Sequence, residues 1–121
     1  MPRRQHDAAE EFLPLTPAVF DVLLALADGE KHGYAIAREV EVRTDGRVRF
    51  GPGTLYGTLT RLLGAGLIRE SDGPEEEGPT VERRRYYKLT PLGREVATAE
   101  ANRLAGLVAS ARSKALLKPS R

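Results

Sequence analysis

The chain contains no cysteine. Disulfides, thiol nucleophiles and thiolate metal sites are therefore excluded together. Histidine is almost as scarce. His6 and His32 are the two present, neither has a visible catalytic partner, and no metal-ligand spacing occurs. His32, just ahead of a helical stretch, reads as a capping or packing residue of a turn rather than as a base. Asp72, Glu75, Glu76 and Glu77 cluster but lack the ligand alternation of a calcium loop. No glycine-rich phosphate motif is present. No apolar run approaches the ~18 residues that cross a bilayer, and no signal-peptide pattern opens the sequence. No catalytic, metal or cofactor residues are therefore expected, the chain is expected not to be an enzyme, and the expected location is cytoplasmic.

What is present is an ordinary globular composition. Of 121 residues, 40% are hydrophobic and 30% charged, which suits one domain with one appended element. The net charge of +2 conceals an asymmetry. Residues 1–30 carry −4, residues 31–70 carry +3, residues 71–81 carry −4 and residues 82–121 carry +7. Concentrated positive charge is the footprint of a polyanionic partner, although a solvated charged surface gives the same tally.

The tripeptide Leu-Thr-Pro occurs twice, at 15–17 and 89–91. Threonine is a good N-cap and proline suits the first helical position, so each marks a helix start. Leu15 has the spacing to staple onto Phe20. Residues 1–14 read as a flexible arm. One helix is expected from about Pro17 to Ala27 and a second from about Gly33 to Arg43. Asp45-Gly46 marks a turn. Arg47-Val48-Arg49-Phe50 alternates like a very short strand. A third helix runs from about Pro52 to Ala65, closed by Gly66, and Leu67 to Ser71 reads as a strand. Turn material follows to about residue 81. Glu82 to Leu89 reads as the returning strand, and a long alanine-rich helix is expected from Thr90 to about Leu117. This order is that of a winged helix-turn-helix, a mainly α fold with a small β-hairpin (α+β). The winged domain spans 15–89, and 90–121 form a C-terminal helix and tail.

The third helix is unusual. Leu55, Leu59, Leu62 and Leu63 give it an apolar face. Its front half is built from Gly51, Pro52, Gly53, Thr54, Gly57 and Thr58, which helices tolerate poorly. The wheel is expected to put Thr54, Gly57, Thr58 and Arg61 opposite the leucines, with Tyr56 and Thr60 on a flank. A helix entering the major groove needs such a face. Its backbone must come close to the bases, hydroxyls can reach base edges or phosphates, and an arginine can fork onto guanine. A small-residue face packed against another helix would use the same residues. Arg83, Arg84 and Arg85, on the strand beside the wing, favour a phosphate backbone as the partner.

Three stretches, "HGYAIAREV", "GPGTLYGTLTRLLGAGLI" and "RRYYKLTPLGRE", in this order and spacing, resemble the PadR family of bacterial transcriptional regulators. The resemblance covers about residues 13–100. It implies a winged-helix homodimer that binds a palindromic double-stranded operator, usually as a repressor. It puts Tyr56 and its neighbours Thr54, Gly57, Thr58 and Arg61 on the DNA-reading helix and Arg83 to Arg85 on the wing. Tyr86-Tyr87 match the family's tyrosine pair, with Tyr87 packed inward. The helix after Thr90 falls at the dimer interface, with Leu92, Val96, Leu104, Leu107, Val108 and Ala111 as its contacts. Some members take a small-molecule effector, here unidentified, and flat aromatic ligands are known among them; this chain has no aromatic residue after Tyr87. Its acidic wing tip, Glu75 to Glu77, would be repelled by phosphates and is expected to point away from DNA or to be disordered, with the arginines making contact. The alternative is a winged-helix protein adaptor, with the acidic loop as its docking surface. A MarR-like arrangement is disfavoured, because only a short arm precedes residue 15.

Overall fold

The computed structural model describes residues 5–73 and 85–118. In chain order the elements are α1 (Gln5–Glu10), α2 (Pro17–Leu26), β1 (Lys31–His32), α3 (Gly33–Arg43), α4 (Pro52–Gly64), β2 (Ile68–Ser71), β3 (Tyr86–Leu89) and α5 (Pro91–Ser113). The strands form one antiparallel sheet in the order β1-β3-β2. Ile68 pairs with Leu89 and Ser71 with Tyr86, while His32 pairs with Tyr86 from the other side. This is the expected winged helix-turn-helix.

The helix starts are set by local chemistry. Thr16 Oγ1 accepts the Val19 N–H at 3.3 Å, and Thr90 Oγ1 accepts the Gly93 N–H at 3.0 Å. His32 caps α3, its Nδ1 accepting the Ala35 N–H at 3.1 Å. Each satisfies a donor that the first helical turn leaves open. The end of α4 is a Schellman turn. The Leu67 N–H reaches Leu62 O at 3.0 Å and the Gly66 N–H reaches Leu63 O at 3.1 Å, with Gly66 at φ +78°.

The core lies where α2, α3 and α4 meet the sheet. Leu23, Leu26, Ile36, Val40, Leu59, Leu67, Ile68 and Tyr87 are almost fully enclosed there. Each buried aliphatic side chain of this size contributes roughly 1.5–3 kcal/mol. α5 joins through Val96, which is 0% exposed. Its first turn is clamped to the end of α4. The Thr90 N–H donates to Leu67 O at 3.1 Å and its hydroxyl to Gly66 O at 2.6 Å.

Three expectations need correction. Residues 47–50 are no strand. Val48 and Phe50 do pack against the core, but the segment has no strand partner; alternation reports which side chains turn inward, not whether a ladder forms. The third strand of the sheet is instead Lys31–His32, which pairs with β3 on the side opposite β2. The segment 1–14 is not wholly a free arm, because α1 packs on α5 and Ala9 is buried. Finally, α5 stops at Ser113 rather than near Leu117, closed by Ala115 at φ 62°. No helix among the described residues is long and apolar enough to cross a membrane.

Candidate nucleic-acid interface

α4 turns Leu55, Leu59 and Leu62 into the core, and Gly53, Thr54, Gly57, Thr60 and Arg61 are exposed. The resulting outer face is short and carries one cation. A Cβ built on Gly51, Gly53 or Gly57 meets nothing within 4 Å. Glycine costs a helix interior about 1 kcal/mol relative to alanine, yet no contact among the described residues asks for it here. Among the described residues, no other helix of the same chain packs against Gly57.

Thr58 does not belong to this face. It is 0% exposed, and its hydroxyl donates to Thr54 O at 2.8 Å. At 100° per residue it lies only about 40° from Leu62, on the core side of the wheel. Thr60, by contrast, is open to solvent. The Arg61 guanidinium is exposed and reaches inward only at 3.4 Å, to Thr58 Oγ1.

Tyr56 ties the outer face to the rest of the helix-turn-helix. It is 49% exposed, and a Cβ on Gly33 would come within 2.9 Å of its hydroxyl. The glycine of the His-Gly-Tyr stretch is thus where the Tyr56 ring crosses the start of α3. Beside it, the His32 ring stacks on Tyr34 at 6.2 Å and meets Tyr86 edge-on at 5.4 Å. Tyr34 is otherwise open to solvent.

On the hairpin, Arg85 is exposed and stands 3.8 Å from the Glu70 carboxylate. Tyr87 packs inward as expected. Burial pushes its hydroxyl up from the ordinary phenol range, while a hydrogen bond with Arg85 pulls the other way. Arg83, Arg84 and the acidic run Glu75 to Glu77 lie outside the described residues. No group of three or more histidine, aspartate or glutamate side chains among the described residues can hold a metal ion.

The expected dimer stripe divides in two. Val96 is enclosed by its own chain and Leu92 packs against the same core, so the early part of α5 spends its apolar face internally. Leu104 and Ala111 are half-buried, whereas Leu107 and Val108 are 56% and 44% exposed. From Ala105 onward every described residue except Ala111 is exposed. Sequence reading missed Glu100, which is buried at the end of this stripe. It accepts the Leu15 N–H at 2.9 Å and the Arg103 Nε–H at 2.5 Å. The signal was an acid four residues after Val96, in line with it, followed by an arginine three residues later.

The PadR-like family of transcriptional regulators matches residues 22–99. Among relatives, a 37.1 kDa protein in transposon TN4556 of Streptomyces fradiae is 48% identical over 86 residues, 71% of this chain and 22% of that protein. Protein X of Lysinibacillus sphaericus is 29% identical over 73 residues, and the match covers 60% of this chain and 64% of that protein. The chain thus spans less than two thirds of both relatives. A transcriptional regulator from Clostridium thermocellum superposes with a TM-score of 0.63 at 25% identity, over 89% of this chain and 93% of that one. Bacillus subtilis PadR, solved with operator DNA, shares the fold at a TM-score of 0.59 and 20% identity, over 69% of this chain and 47% of that one. With its three motifs, its winged helix and a family match across most of its length, the chain belongs to the PadR-like family of transcriptional regulators.

Proposed function

We propose that this protein is a sequence-specific DNA-binding regulator that represses by occupying a palindromic operator as a two-fold dimer in the cytoplasm. α4 enters the major groove. Thr54, Arg61 and the flanking Thr60 and Tyr56 reach base edges or phosphates, and Gly57 lets the helix backbone approach. Arg83 to Arg85 hold the flanking phosphates, and α5 joins the two copies. One observation carries the reading. A Cβ at the glycines in the front of α4 meets nothing among the described residues of its own chain, which supports contact with something outside it. The concentration of positive charge from residue 82 onward and the operator bound to the Bacillus subtilis relative support a nucleic acid as that partner.

Gly57→Leu tests it. The new side chain enters open solvent in the free protein, so thermal melting is expected to be unchanged or slightly raised. Specific duplex binding is expected to be abolished, because the groove has no space for the side chain. A variant that melts normally and binds DNA as the native protein does would remove α4 from the groove.

A further inference from the structure

Three polar side chains from the cap and first half of α5 each bond the end of another helix. The Thr90 hydroxyl donates to Gly66 O at 2.6 Å, just past the C-terminus of α4. Arg94 Nη2 donates to Ala27 O at 2.9 Å, at the C-cap of α2. Glu100 Oε2 accepts the Leu15 N–H at 2.9 Å, one residue ahead of the α2 N-cap Thr16. The charges suit these ends. A cation favours a helix C-terminus and an anion a helix N-terminus, so α5 grips both ends of α2 with the matching sign.

Ties placed in this way do not form a hinge. Arg94 and Glu100 are separated by about 9 Å along the helix axis and by about 120° around it. The cap of α5 adds a third support, backbone against backbone. The Thr90 N–H reaches Leu67 O at 3.1 Å, and Gly93 has no room for a Cβ beside the same oxygen. The Leu67 N–H in turn bonds Leu62 O inside α4. Supports that differ in height and direction resist both tilt and roll of α5. The one at Thr90 bears directly on the end of the helix whose outer face is open.

We propose that Thr90 and Arg94 are positioning residues for DNA recognition. Through them, with Glu100 holding the other end of α2, α5 sets the aim of α4 and so the half-site spacing that the protein accepts. The inference rests on the two-fold reading of DNA proposed above and adds which residues make it sensitive to spacing. One base pair added between half-sites moves the second by about 3.4 Å and turns it by about 35°. Two α4 helices aimed rigidly from α5 cannot both follow that displacement, and the gain from joint engagement is lost. With the ties cut, each winged body swings on α5 and follows it.

A ratio of two affinities tests it on the full chain. The probes are the inverted repeat that the native protein enriches from a randomised duplex pool, and the same repeat with one central base pair inserted. The native protein is expected to prefer the first by roughly tenfold or more. Thr90→Val combined with Arg94→Met removes both donors, and the preference is expected to fall to roughly threefold or less. Charge lost at Arg94 weakens both duplexes alike and cancels in the ratio. Arg94→Met alone, at an exposed side chain, keeps the fold and is expected to relax the ratio part of the way. Thr90→Ser with Arg94→Lys keeps a donor at each position and is expected to restore it. Ile36→Val lowers stability from the core, away from the ties, and is expected to leave the ratio native. A native ratio in the combined and Arg94→Met variants, an equal loss in Ile36→Val, no rescue by the conservative pair, or a native protein indifferent to spacing would overturn the inference and leave the two-fold reading standing. A native protein that enriches no inverted repeat would overturn both.

Discussion

Two residues fix α5 to the winged body by opposite means. Gly93 does so by being absent as a side chain. A Cβ there would lie 1.8 Å from Leu67 O, a backbone atom held in the α4–β2 turn that cannot step aside. Gly93→Ala is expected to cost at least about 3 kcal/mol in urea unfolding, the upper end of overpacking effects. Gly57→Leu, a far larger change at an open site, is expected to cost nothing. Glu100 acts through charge. The Arg103 hydrogen bond holds its carboxyl below the ordinary carboxylate range, burial opposes this, and the Leu15 N–H adds to the lowering. Because the folded-state pKa is depressed, the unfolded chain takes up the proton first as pH falls. The stabilisation is complete above the unfolded glutamate value of about 4.3 and is lost as pH drops through the folded value. Glu100→Ala is expected to be less stable by about 2–3 kcal/mol at neutral pH, with the gap to the native protein narrowing in acid. Urea midpoints measured across that pH range check the sign. Neither role was visible to periodicity. Apolar spacing assigns no part to a glycine in a first helical turn or to an acid in an alanine-rich helix. Thr58 shows the same limit, since a small hydroxyl residue is equally at home facing a groove or closing a helix turn from within.

At the level of elements, strong local chemistry was readable and weak pairing was not. The Thr-Pro starts, the Gly66 end and the leucine face of α4 each have a mechanism confined to a few residues, and those boundaries stand in the structure. β1 has two residues and no pattern of its own. It exists because β3 offers an edge to Lys31 and His32. The six-residue α1 is likewise held by α5 rather than by its own sequence. α5 itself was legible as a helix, but the hand-over from internal to external packing was not. One apolar stripe serves the core at Val96 and then runs past it to Leu107 and Val108. Substituting aspartate at both Leu107 and Val108 is therefore expected to leave secondary structure and urea unfolding of the subunit nearly unchanged. In sedimentation the same variant is expected to be monomeric. A dimer of native affinity would place the interface on another face.

For the whole molecule, the order of elements was the legible part and points to a winged helix; the charge asymmetry adds support to the proposed polyanionic partner. A two-fold partner is implied only by the family resemblance. Within one subunit α4 presents a single reading face, and one such face covers too few base pairs to single out an operator. On the proposed function, two copies are joined through α5 so that both α4 helices meet the same side of the duplex. Half-sites are then separated, centre to centre, by about 10–10.5 base pairs or a multiple of that spacing. The most direct measurement is selection of bound sequences from a randomised duplex pool by the native protein, at an ionic strength that suppresses nonspecific phosphate contacts. The expected result is enrichment of an inverted repeat with that half-site spacing. Failure to enrich any sequence, or enrichment of a single unrepeated site, would contradict a dimer that reads DNA through paired α4 helices.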